Sequence, residues 1–277
     1  MPYSEKYLEE QTKIFFLKIA GFIVKIVCEP TEQVFFKHKL IEAIQQVWSK
    51  GGFLGKTSKT WDFEIRFVSQ ANRMRIIQKE GGKKHYYLTF QRDFTSRKVI
   101  AFYYTSLPTF QMLLREIMAF LLLRDGFLLH ASSCQDKKGN LKAFLAPSGG
   151  GKTTIADLIS KTKTFVKFSD DILLIRKVKG EWFFFSPPFV EKEMLPTKRK
   201  AKNIEIFFIK KSKNPSKEKL DGNDKILRFI LKQVWVRKEK LEKQTLANVM
   251  AFVAENEFYQ LRSVLDLKQM RKVLYED

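Results

Sequence analysis

No apolar run in this chain is long enough to cross a bilayer. The longest, Ile14 to Val27 and Ile117 to Leu123, are broken by Lys18 and Lys25 or closed by Arg124-Asp125, well short of the ~20 apolar residues a membrane helix needs. The opening residues, Met1 to Glu10, are acidic and polar rather than basic and then apolar. A signal peptide is therefore not expected, no membrane partner is expected, and the expected compartment is the cytoplasm. Cysteine is scarce too. Cys28 and Cys134 form no CxxC pair, and His38, His85 and His130 are scattered, which excludes a Cys/His zinc site of the usual spacing and leaves the cysteines as reduced, structural residues.

What is present is the material of a folded protein. With 277 residues, 44% hydrophobic and 29% charged, the chain has enough apolar surface for a real core and enough length for two ordinary domains. We expect them at residues 1–107 and 108–277. A formal net charge of +21 ordinarily points to nucleic acid or an acidic partner. Here lysine is spread along the whole chain. Its densest run, Lys198 to Lys219, contains Asn214-Pro215-Ser216 and reads as an exposed loop. A solvated surface accounts for most of that charge, and nucleic acid is the less favoured partner.

The N-terminal part reads as mixed α+β. Lys13 to Ile19 and Phe22 to Cys28 flank Ala20-Gly21 as a hairpin, and Val34 to Trp48 has helical spacing. Short strands follow at Phe63 to Val68, Arg73 to Gln78, His85 to Phe90 and Lys98 to Tyr104. Pro108 to Leu123 repeats apolar residues at helical spacing and joins the two domains. The C-terminal part is expected to be α/β. Its strands are Leu128 to Cys134, hairpinned to Leu141 to Leu145, then Phe165 to Phe168, Ile172 to Val178, Trp182 to Phe185, Ile204 to Ile209 and Phe258 to Arg262. Its helices are Lys152 to Lys161, Asp224 to Val236, Lys240 to Ala254 and Leu267 to Leu274.

Between a strand and a helix lies Ala146-Pro147-Ser148-Gly149-Gly150-Gly151-Lys152-Thr153. It follows the Walker A pattern G-x-x-x-x-G-K-[ST], in which backbone N–H groups converge on phosphate oxygens and glycine leaves room for their approach. Ser148, Gly149, Gly150, Gly151, Lys152, Thr153 and Thr154 are the candidate nucleotide-binding residues. Lys152 would meet the β- and γ-phosphates, and Thr153 would coordinate Mg²⁺. Ala146 stands where the pattern has its first glycine, so either its backbone is ordinary or the loop is altered there.

One helix and one strand later come Ser169-Asp170-Asp171. Two adjacent carboxylates beside a phosphate loop can divide the labour, one on the metal and one accepting a proton from an attacking hydroxyl; on their own they could simply cap a turn. His130-Ala131-Ser132-Ser133, then residues 146–154, then Ser169-Asp170-Asp171 resemble the catalytic core of the HPr kinase/phosphorylase family, in the same order and at similar intervals. The resemblance spans about residues 128–188, and more loosely the chain to Tyr275. It implies a P-loop kinase domain with a phosphoenolpyruvate-carboxykinase-like fold, ATP and Mg²⁺ as cofactors, and phosphorylation of a serine hydroxyl. By matching position it implies Lys152 on the phosphates, Asp170 as the general base, Asp171 with Thr153 as metal ligands, and His130 near the aspartate, tuning it. A histidine on an apolar strand is otherwise most often a core residue.

Residues 189–213 do not carry the further family motif tied to substrate binding and dephosphorylation. That argues against phosphorylase activity and against HPr as the substrate. The expected activity is an ATP-dependent serine kinase acting on a peptide or protein, including tailoring of ribosomal peptides such as lasso peptides. The alternatives are a small-molecule P-loop kinase for free serine or of shikimate-kinase type, and a basic nucleotide-dependent adaptor for nucleic acid or an acidic protein. Whether the chain forms a homo-oligomer is left open by the sequence.

Overall fold

Two apolar runs rich in aromatic and β-branched residues, Lys13–Ile19 (β1) and Phe22–Cys28 (β2), pair as an antiparallel hairpin. Ala20 and Gly21 turn it with positive φ at both positions, 50° and 84°, as a two-residue turn between right-twisted strands requires. The computed structural model describes residues 12–29, 42, 45–68, 75–80, 83–87, 94, 96–102, 107–162, 164–190, 196–236 and 242–275. Contacts divide the chain into Met1–Ile117 and Met118–Asp277, a division that falls within the helix Leu107–Leu122 (α1).

In the first unit, Leu54–Gly55 (β3), Phe63–Val68 (β4) and Lys98–Phe102 (β7) join the hairpin in the order β3-β1-β2-β4-β7, with β4 and β7 parallel to β2. Arg75–Glu80 (β5) and Lys83–Tyr87 (β6) form a separate antiparallel ribbon. Trp48 and Phe67 pack on Phe110 of α1 with ring centroids 5.5 and 5.4 Å apart. The expected helix from Val34 lies mostly outside the described residues; its end, Gln45–Ser49, is a π-helical turn.

The second unit is mixed α/β and rich in sheet. Gly126–Leu129 (β8), Leu173–Val178 (β12), Glu181–Phe185 (β13), Lys200–Ala201 (β14) and Val234–Trp235 (β17) form an antiparallel sheet ordered β14-β13-β12-β8-β17. Ser132–Asp136 (β9), Leu141–Leu145 (β10), Phe165–Ser169 (β11), Ile204–Lys211 (β15), Ser216–Lys219 (β16) and Phe258–Ser263 (β18) form a six-stranded sheet ordered β11-β9-β10-β15-β18-β16. In it β10, β15 and β18 are parallel, while β9 runs antiparallel to both β10 and β11.

The central strands of this second sheet are buried on both faces, and their residues alternate between two cores. Leu145, Ile206 and Phe208 face a core shared with Phe184, Ile230 and Phe252. Phe144 and Phe207 face a core shared with Ile155, Met270 and Leu274. Helices Asn223–Leu231 (α3) and Lys243–Glu255 (α4) contribute to the first core, and Lys152–Ser160 (α2) and Leu267–Tyr275 (α5) to the second. Cys28 and Cys134 are buried thiols, and burial pushes that of Cys134 up to about 12, which leaves it unreactive at neutral pH.

Three expectations need correction. Leu128 to Cys134 is not one strand: the chain leaves the first sheet after Leu129 and enters the second at Ser132. Both pieces are buried throughout, so no alternation marks the switch. Asp224 to Val236 is a helix only to Leu231; Val234 and Trp235 then pair with Leu129 and Leu128. The lysine-rich run Lys198 to Lys219 is mostly strand rather than loop. Its last strand, β16, pairs along β18 at the sheet edge, where charged side chains oppose edge-to-edge association. Much of that charge is also paired, as in Lys217–Glu205 at 2.7 Å and Lys219–Glu257 at 2.5 Å. Among the described residues, no helix is long and apolar enough to cross a membrane.

Candidate functional site

Strand directions decide where the site lies. Because β9 sits between β10 and β11 and opposes both, the carboxyl ends of β10 and β11 emerge on one edge, together with the amino end of β9. The parallel strands β15 and β18 end on that same edge. The glycine loop after β10, the aspartates after β11 and His130 before β9 are thereby brought together from distant parts of the chain.

The loop is built for close approach. Gly149 and Gly151 take φ of 73° and 97°, in the left-handed region that side chains disfavour. Gly150 N–H bonds Pro147 O at 2.9 Å, and a Cβ on Gly150 would lie 2.5 Å from the Ala146 Cβ. Ala146 is buried and absent from the positive-φ residues, so alanine fits its backbone without strain, and its methyl group fills the space beneath Gly150. Gly151 caps α2 with no side-chain hydrogen bond, leaving the first N–H groups of the helix and its positive dipole end available to an anion. Pro147, Ser148, Gly149 and Thr154 are exposed.

Lys152 is buried, and its Nζ donates to Ala146 O at 2.8 Å and more weakly to Pro147 O at 3.5 Å. Burial holds the ammonium below its ordinary value, opposed by the charges of Asp171 and Asp170. A buried cation resting on neutral carbonyls is poorly compensated, and an arriving phosphate would supply the missing charge.

The two aspartates are in different surroundings. Asp170 is 4% exposed. Its Oδ1 accepts hydrogen bonds from Ser132 Oγ at 2.6 Å and Thr153 Oγ1 at 2.8 Å, and its Oδ2 accepts one from Lys167 Nζ at 3.1 Å. Burial alone would push the carboxyl up; the bonds from Ser132, Thr153 and Lys167 outweigh it and hold the group below the usual carboxylate range. Lys167 also reaches Asp157 Oδ1 of α2 at 2.5 Å, tying β11 to the helix that the loop opens.

Asp171 is far more open, its side chain 42% exposed, and its Oδ1 lies 2.8 Å from His130 Nε2. Its φ of 83° is in the left-handed region, and Ile172 N–H closes a three-residue turn onto Asp170 O at 3.1 Å. A non-glycine residue held there is strained. The consequence is that adjacent carboxylates point apart, one into the sheet toward Thr153 and one out toward His130. The imidazole is placed by the corner between β8 and β9, where His130 N–H bonds Gln233 O at 2.7 Å.

Every candidate singled out from the sequence therefore lies on one sheet edge. Sequence reasoning missed Ser132, Lys167 and Lys211 as site residues. Ser132 follows His130 by two positions and opens β9 directly after the corner that holds the histidine, and Lys167 lies on β11 just before the aspartates; these signals were available. The cleft beside the loop, about 570 Å³, is lined by residues 149–155, Lys211, Ser212 and residues 263–265, and the part from β18 had no sequence signal at all. Neither protein-family models nor curated proteins match this chain.

Proposed function

We propose that this protein is an ATP- and Mg²⁺-dependent phosphotransferase with a P-loop kinase domain, transferring the γ-phosphoryl group to a serine hydroxyl of a peptide or protein. The observation that carries the reading is the Thr153–Asp170 hydrogen bond at 2.8 Å. In P-loop enzymes the metal lies between the loop hydroxyl and a strand-end aspartate, and here those two groups already touch.

The residues fit the cofactors: a glycine loop that a Cβ at position 150 would obstruct, an uncapped helix start, a buried lysine on carbonyls, and two oxygen ligands suited to Mg²⁺. When bound, the metal would supply positive charge that offsets that of the phosphate oxygens. Thr153 and Asp170 would hold it, and Lys152 would move from Ala146 O to the phosphates.

The surroundings of the two carboxylates favour exchanging the roles implied by the family resemblance. Asp170, buried and stabilised as the anion, is a weak base and a good metal-side ligand. Asp171, exposed and facing His130, is better placed to take the proton. The acceptor O–H then bonds to γ-phosphorus as the bond to ADP breaks, and its proton passes to the Asp171–His130 pair. The serine acceptor and the peptide or protein class rest on the resemblance to HPr-kinase relatives.

The test is mass spectrometry of serine-bearing peptides, proteins and free serine incubated with ATP and Mg²⁺. One phosphoryl group is expected on an acceptor hydroxyl. Asp171→Asn should retain Mg-ATP binding and lower transfer by about 10²–10⁴-fold, whereas Asp170→Asn should raise the Mg²⁺ concentration required. If the protein fails to bind ATP, or binds it and transfers phosphate with Asp171→Asn unimpaired, the corresponding part of the proposal is refuted.

A further inference from the structure

The cleft is lopsided with respect to the glycine loop. Adjacent strands lie ~4.8 Å apart, so β11 and β18, each two strands from β10, flank the loop by roughly 10 Å on opposite sides. Asp170 and Asp171 occupy the β11 flank. The open cleft receives its lining from the loop and from the ends of β15 and β18, with none from β9 or β11.

Two side chains on that second flank are poorly accounted for by folding. Lys211, the last residue of β15, extends to Gly149 O of the loop at 3.3 Å, and its Cε is the nearest group to where a Cβ on Gly151 would stand, at 3.9 Å. It is register partner to Ser263 at the end of β18. Leu265 is 76% exposed and lines the same cleft. The preceding bend is held by Val264 N–H on Met270 Sδ at 3.5 Å. A leucine so exposed adds almost nothing to the core, and a lysine on a neutral carbonyl has a weak partner that a phosphate oxygen would displace.

We propose that the nucleotide lies along the sheet edge in one direction. Its base rests on Val264 and Leu265, its α- and β-phosphates lie beside Lys211, and its γ-phosphate points toward Asp170 and Asp171. This rests on the phosphotransferase reading and adds a polarity to it. Lys211 attends the leaving diphosphate rather than the acceptor, and the acceptor approaches from the β9–β11 side. As the terminal P–O bond breaks, negative charge grows on the β-phosphate oxygen, where the Lys211 ammonium would stabilise it.

The experiment compares binding of Mg-ATP, Mg-ADP and inorganic tripolyphosphate to wild type, Lys211→Ala, Lys211→Arg and Leu265→Ser. Thermal unfolding confirms that each variant folds. Lys211→Ala should weaken all three ligands by about 10- to 100-fold, with partial recovery in Lys211→Arg. Leu265→Ser should weaken ATP and ADP several-fold and leave tripolyphosphate unchanged. If wild type binds ATP and both Lys211→Ala and Leu265→Ser bind it equally well, the orientation is wrong. It is equally wrong if Leu265→Ser weakens tripolyphosphate as much as ATP. If wild type binds neither ATP nor tripolyphosphate, the phosphotransferase reading itself fails, and the polarity with it.

Discussion

Replacing Asp170 with asparagine isolates the group that links the loop to the sheet. The carboxylate accepts from Ser132 at 2.6 Å, Thr153 at 2.8 Å and Lys167 at 3.1 Å. An asparagine carbonyl can keep the two hydroxyl bonds, but its NH₂ group then faces the Lys167 ammonium, donor against donor. Lys167 retains Asp157 at 2.5 Å and so is not left uncompensated. The loss is one charge-assisted hydrogen bond plus the weakening of two others, about 2–3 kcal/mol. For a unit of this size that is a fall of roughly 4–12 °C in Tm. The pH dependence gives a second signature. The folded-state pKa of Asp170 is depressed, so its stabilisation is fully present above the unfolded value of about 3.9 and disappears as pH falls through the lower folded value. Thermal unfolding of wild type and Asp170→Asn, followed by circular dichroism between about pH 7 and pH 3, should show a constant gap above about pH 5 that narrows below about pH 4. No gap at neutral pH, or a gap that persists undiminished in acid, would refute the reasoning.

Lys152→Met should raise the Tm of the nucleotide-free protein by a few degrees, because it removes a buried, poorly compensated cation, about 1 kcal/mol; the same variant should lose any ATP-induced shift in Tm. Gly150→Ala should lower the Tm by roughly 2–12 °C, the cost of overpacking by about 1–3 kcal/mol, and reduce ATP binding at least tenfold, since its methyl would meet the buried Ala146 Cβ at 2.5 Å and Pro147 O at 2.9 Å and force the loop to shift. Equilibrium binding of ATP beside a thermal melt checks both, and wild-type affinity in Gly150→Ala would show that the loop tolerates the methyl.

The local elements were largely legible from periodicity and turn residues. The hairpin β1–β2 and the strand Phe63–Val68 occur at the residues read from short apolar runs and the turns that bound them, and α2 begins at Lys152 as the glycine loop implied. Reading failed where burial is two-sided or pairing is distant. Gly126–Leu129 and Ser132–Asp136 look like one run because no glycine, proline or other turn residue separates them, and only the partners of each piece, β12 and β17 for one and β10 and β11 for the other, reveal two sheets. The strand Val234–Trp235 continues a helical pattern and is a strand only because β8 offers its edge. Ser216–Lys219 carries loop-like lysines and is held in the sheet by β18.

The candidate site divides in the same way. By itself the sequence determined the chemistry on offer: a glycine loop with Lys152 and Thr153, two adjacent aspartates, and a histidine upstream, because these depend on residue type and short spacing. Tertiary structure decided the arrangement. The interposition of β9 between β10 and β11 puts the loop and the aspartates on one edge, the positive φ of Asp171 turns the two carboxylates apart, and Lys211 with Leu265 enters from strands that the sequence places far beyond the loop. Spacing along a chain specifies neighbours within an element, whereas strand order and direction are settled by which apolar faces can be buried together.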